Sequence, residues 1–70
     1  LYYYAGFALN KTAKYKEAIA ILETGLDFVI ENPELEYQFL IQLSQAHDAS
    51  KNTKKRDEYL KKAELLLKKK

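Results

Sequence analysis

Two stretches of this 70-residue chain repeat one another at a fixed offset of 38 residues. Tyr2, Ala5, Gly6 and Leu9 share their spacing with Leu40, Leu43, Ser44 and His47. Ala18, Leu22 and Gly25 share theirs with Arg56, Leu60 and Ala63. Within each stretch the steps are three and four residues, the period of one helix face. Such a chain is constrained to repeated helical hairpins. One hairpin cannot bury its apolar face alone, so units must stack, and about three repeats is the usual minimum. Two units predict a thin core, and with it a piece of a longer chain or a self-associating one.

Four helices are expected, over about 1–10, 14–31, 33–50 and from about 54, fraying at 68–70. Tyr2, Ala5, Gly6, Leu9 and Ala13 mark the inner face of the first helix. Tyr15, Ala18, Ile19, Leu22, Leu26, Val29 and Ile30 form the stripe of the second, with Ala20, Ile21 and Phe28 apolar beside it. Asn32 is a good N-cap and Pro33 suits the first position of a helix, where no N–H is needed. Glu34 and Glu36 then favour the positive end of the helix dipole. The third helix turns Leu35, Phe39, Leu40, Leu43, Ala46 and His47 inward, and the fourth Tyr59, Leu60, Ala63, Leu66 and Leu67. Connections of a few residues predict antiparallel neighbours. The chain therefore reads as one all-α domain over 1–70, with unit one about 1–32 and unit two, including a capping helix, about 33–70.

The inventory of chemical groups argues against an enzyme. There is no Cys and one His, His47. Zinc needs three or four convergent ligands, and His47 with Asp48 supplies two groups pointing apart on a helix. Ser44 and Ser50 stand in no nucleophile motif. Glu17, Glu23, Glu34 and Glu36 read as solvated surface acids. The two glycines, Gly6 and Gly25, are isolated, so no phosphate-cradling loop exists and no cofactor is expected. Asn10-Lys11-Thr12 matches a glycosylation sequon, a common accidental match. No apolar run is long enough to span a membrane.

The pattern resembles the tetratricopeptide repeat. Tyr2 stands for its opening aromatic, Gly6 for its glycine, Leu9 for its second aromatic and Ala18, within Tyr15-Lys16-Glu17-Ala18-Ile19, for its close-packing alanine; Gly25 is its later small residue. The resemblance covers nearly the whole chain but departs from the family in three ways. The period is 38 rather than about 34, an excess assigned to the second helix because Pro33 falls late. Ala5 is smaller than the usual Leu. The second unit carries Ser44, His47 and Arg56 for Gly, aromatic and Ala, which reads as the C-terminal cap of an array. Arg56 is expected to pack its stem while its head reaches water.

The resemblance implies a fragment of a right-handed α-solenoid, and a scaffold or adaptor that binds another protein, as a peptide or helix, in a concave groove. It places Tyr3, Phe7, Asn10 and Lys11 on that groove in unit one, and Gln38, Ile41, Gln45 and Asp48 in unit two. Aromatics beside amides suit such a ligand. The family's carboxylate-clamp set of Lys, Arg and Asn is not supplied, so chaperone-tail binding is not implied.

Two other readings stand beside this one. The aromatic opening, residues 1–7, offers a face for homo-oligomers. Nucleic-acid contact through the last helix is the other, since residues 1–50 hold three Lys against seven acids, net −4, and 51–70 nine bases against three acids, net +6. Cations are favourable near a helix C-terminus, however, and Lys61 and Lys62 stand four residues after Asp57 and Glu58, the order of a stabilising pair. No aromatic interleaves the basic face.

Overall fold

Four helices carry the chain: α1 (Tyr2–Lys11), α2 (Tyr15–Leu26), α3 (Pro33–Ala49) and α4 (Thr53–Lys68). They come from a computed structural model that describes residues 2–68, among which there is no strand. Leu1, Lys69 and Lys70 lie outside the described residues, and with them part of the expected N-terminal interface and of the C-terminal fraying. None of these helices is long and apolar enough to cross a membrane.

The 38-residue offset is repeated by the backbone. α1 ends on a left-handed residue, Ala13 at φ 63°, and α3 on Lys51 at φ 64°. Lys14 N–H reaches back to the Leu9 carbonyl at 2.8 Å, and Asn52 N–H to that of His47 at 2.8 Å. Ala13 N–H bonds Asn10 at 3.2 Å, and Lys51 N–H bonds Asp48 at 3.0 Å. Both ends are thus Schellman motifs that use their otherwise orphaned carbonyls, although neither has the usual glycine. The following helix starts differently in the two units. Asn52 Oδ1 accepts from Lys55 N–H at 3.3 Å to cap α4, whereas Lys14 caps α2 with no side-chain bond.

α2 stops at Leu26, five residues before the expected end at Glu31. Its last turn unwinds through bonds from Phe28 N–H to Gly25 and from Val29 N–H to Leu26. Two β-branched residues then precede Glu31, which is left-handed at φ 54°. Asn32 must leave helical geometry to cap α3, which it does by accepting from Leu35 N–H at 3.2 Å, and a residue before proline avoids the helical region in any case. Residues 27–31, expected in the second helix, therefore lie in the connection. Val29 folds back against the core, while Phe28 and Ile30 stand 68 % and 78 % exposed rather than extending the buried stripe.

α1 lies on α2, α2 on α3 and α3 on α4, with α1 also against α3; α1 and α4 do not approach each other among the described residues. Ala18, Leu22, Phe39 and Leu43 form the central cluster, with Tyr3, Leu9, Ile19, Leu26, Val29, Leu35 and Tyr59 around it. Both glycines sit where helices meet. A Cβ on Gly6 would overlap the Leu22 side chain, and one on Gly25 would stand 2.5 Å from Tyr2 Cβ and 2.7 Å from the Phe39 ring. That close approach reverses the expected roles of two tyrosines. Tyr2 has its base on Gly25, so its ring is pushed sideways onto Phe28, stacked at 5.7 Å, and stays 42 % exposed. Tyr3 takes the half-buried place, edge-on to Phe39 at 5.7 Å. Ala5 and Ala13 are exposed, not inner, and Leu60 and Leu67 of α4 are exposed while Ala63 is buried.

Candidate functional site

The expected groove residues occupy three neighbouring depressions along α1 and α3. Phe7, Asn10 and Lys11 of α1 meet Gln45 of α3, together with Gln42, around a hollow of about 210 Å³. Ile41, Gln45 and Asp48 border a second, of about 240 Å³, whose far wall is Arg56 and Leu60 of α4. Tyr3 and Gln38 line the largest, about 370 Å³, between the start of α1, the α2–α3 connection and the start of α3. Gln45 joins the first two, so six of the eight residues form one continuous strip, with Tyr3 and Gln38 at its end.

The strip is well packed on its α1 side. Phe7 stacks on Tyr3 at 6.2 Å, Tyr3 rests on buried Phe39, and Lys11 Nζ stands 5.3 Å over the Phe7 ring. Phe7 is nonetheless 38 % exposed. Asn10 is not a free hydrogen-bonding group. Its Nδ2 donates to the Gln42 carbonyl at 3.2 Å and to Gln42 Oε1 at 2.9 Å, tying α1 to α3. Asn10 Oδ1 is buried without a partner. Gln42 was missed in the sequence. Its signal was a lone amide within the apolar run Phe39–Leu43, a group that needs a buried partner.

Asp48 is engaged as well. Arg56 Nη1 donates to Asp48 Oδ1 at 2.8 Å and Arg56 Nε donates to Asp57 Oδ1 at 3.0 Å. The Arg56 head thus turns to two carboxylates, which favour its charged form, rather than simply to water. Asp57 is taken by Arg56 and Glu58 pairs with Lys55 at 3.7 Å, so the expected pairs to Lys61 and Lys62 are not the ones formed. Lys62 Nζ instead stands 5.5 Å over the Tyr59 ring.

Behind the strip, His47 and Tyr59 clasp α3 to α4. Their rings stack at 5.5 Å with an interplanar angle of 14°. Tyr59 OH donates to Glu23 Oε2 of α2 at 2.9 Å. Burial, then the bond to Glu23, pushes the Tyr59 pKa up to about 12. His47 is buried with Nε2 unpartnered. Burial lowers its pKa below the usual 6.5, and the Glu23 carboxylate only partly offsets this. This histidine packs α3 against α4.

The strip therefore offers an apolar ring, a cation over it, and the exposed Gln45 amide, on a face that no other described residue covers. No protein-family model, curated protein or solved structure matches the chain.

Proposed function

We propose that this chain is a non-catalytic protein-interaction scaffold or adaptor that binds an extended peptide or a helix along α1 and α3. In this reading it consists of two tetratricopeptide-like units at the C-terminal end of a right-handed helical array. The observation that carries it is Phe7: a large ring, 38 % exposed yet packed on Tyr3 and under Lys11, beside the exposed amide of Gln45. A ring fixed before binding loses little freedom on binding, which is what an anchor for a ligand side chain requires. The Gln45 amide beside it can take up an N–H or C=O group of a ligand backbone. Asn10 and Asp48 serve this reading as wall residues, because their own side chains are already bonded within the chain.

The test is affinity capture with the wild-type chain and with a Phe7→Glu, Gln45→Glu variant. Both positions are exposed, so circular dichroism should remain helical. A binding protein that the variant loses supports the groove. Equal capture by both removes it.

A further inference from the structure

We propose that the end of the stack formed by the α1–α2 and α3–α4 turns binds the phosphate backbone of a nucleic acid without reading its sequence. The two turns lie side by side. Lys14, Tyr15 and Lys16 after the first meet Ser50 of the second around an open hollow of about 350 Å³. This end is built from the interior of the chain. The start of α1 and the end of α4 both lie at the opposite end, beside the α2–α3 connection and the start of α3. Residues 10–18 and 46–58 supply the turn end and hold seven bases against four acids, net +3, which leaves −1 on the rest of the chain. Arg56 is taken by Asp48 and Asp57, and Lys55 by Glu58. Lys11, Lys14, Lys16, Lys51 and Lys54 are exposed and have no carboxylate partner among the described residues. Glu17 is the one acid left beside them.

These lysines differ from ordinary surface charge in what they cost the fold. Lys14 stands where a helix start favours a side-chain acceptor, and it makes no cap bond. Lys51 holds left-handed backbone at φ 64°, where glycine or asparagine is favoured. Lys54 and Lys55 stand in the first turn of α4, which has no acid, against the positive end of its dipole. Each departure gives up local stability, and each puts a cation at the same end. Such departures gathered in one place point to function. The surroundings of the charge select the occupant. Neither turn exposes a large apolar side chain that could enter a lipid surface. Ser50 and Thr53 are exposed there instead, and hydroxyls among spread lysines fit the oxygens of successive phosphates. Asn52 is occupied in capping α4, so no amide of that turn is left to read base edges. The turn end shares only Lys11 with the strip, and the proposal stands without the groove reading.

Fluorescence anisotropy of a labelled mixed-sequence DNA duplex, titrated with the 70-residue chain at several salt concentrations, tests it. Binding should fall at roughly 1–100 μM, be the same for a second duplex of different sequence, and weaken with added salt at about −0.9 per phosphate neutralised on logarithmic axes. Lys14→Asn with Lys51→Gly is the decisive variant. Both changes suit the local backbone, so the urea midpoint should rise while duplex affinity falls by about tenfold or more. Lys61→Gln with Lys62→Gln removes the same charge from α4 outside the turns. At 0.1 M salt that pair should change affinity by less than about twofold. Equal losses from the two pairs would reduce the effect to net charge and overturn the proposal. So would the absence of duplex binding at low salt. Tighter binding to phosphatidylserine vesicles than to the duplex, lost in the same turn variant, would overturn the nucleic-acid occupant in favour of a lipid surface.

Discussion

Ala13 and Lys51 hold left-handed backbone without being glycine, at a cost of roughly 1 kcal/mol each. Ala13→Gly and Lys51→Gly should therefore each raise stability by about that amount, read as a higher urea midpoint at unchanged slope. Gly25 sets the opposite case. Ala is the better helix former by about 1 kcal/mol, yet its methyl would strike the Tyr2 base and the rigid Phe39 ring. Gly25→Ala should cost about 1–3 kcal/mol, and more than Gly6→Ala, because the Leu22 side chain opposite Gly6 can change rotamer. His47 gives the chain a pH dependence. Its folded pKa lies below 6.5, so as pH falls through 6.5 the unfolded chain takes up the proton first. Its contribution to stability is thus complete above that pH and is lost as pH drops toward the folded value. Thermal melts should show a lower midpoint at pH 5.5 than at 7.5. His47→Phe, which keeps a ring against Tyr59, should flatten that difference.

At the scale of elements, the sequence was most informative where local chemistry decides the outcome. Asn32-Pro33 starts α3 as a cap followed by proline should, and the apolar stripe Leu35, Phe39, Leu40, Leu43, Ala46, His47 faces inward along its whole length. Periodicity misled at the end of α2. Val29 and Ile30 continue the helical spacing, but the cap at Asn32 and the proline after it require the chain to leave the helix first, and Ile30 becomes exposed. On α1 the spacing was right and the depth wrong. The absence of a side chain on Gly25 brings the helices so near that Tyr2 is expelled and Tyr3 half-buried. Of the candidate site, the α1 and α3 positions of the strip were expected only from the family resemblance, and the bonds that occupy Asn10 and Asp48 were not foreseen, because they depend on Gln42 and Arg56 from other turns. The weakest helix start is that of α2, where Lys14 provides no cap bond. Lys14→Asn, the residue its counterpart Asn52 already is, should stabilise by about 0.5–1 kcal/mol in the same urea assay.

Among the described residues the four helices form a short stack with one open side. That side is the strip along α1 and α3, including the hollow beside Arg56, while Tyr4, Phe28 and Ile30 are exposed outside it. Only that side offers a preorganised ring with the Gln45 amide beside it, and binding there is the central claim. Amide chemical shifts of the labelled chain, followed during titration with a peptide selected against it from a displayed library, test that claim most directly. The shifts should concentrate on Phe7, Asn10, Lys11, Gln42 and Gln45 and disappear in the Phe7→Glu, Gln45→Glu variant. Shifts confined to the outer faces of α2 and α4, or unchanged by that variant, would contradict it.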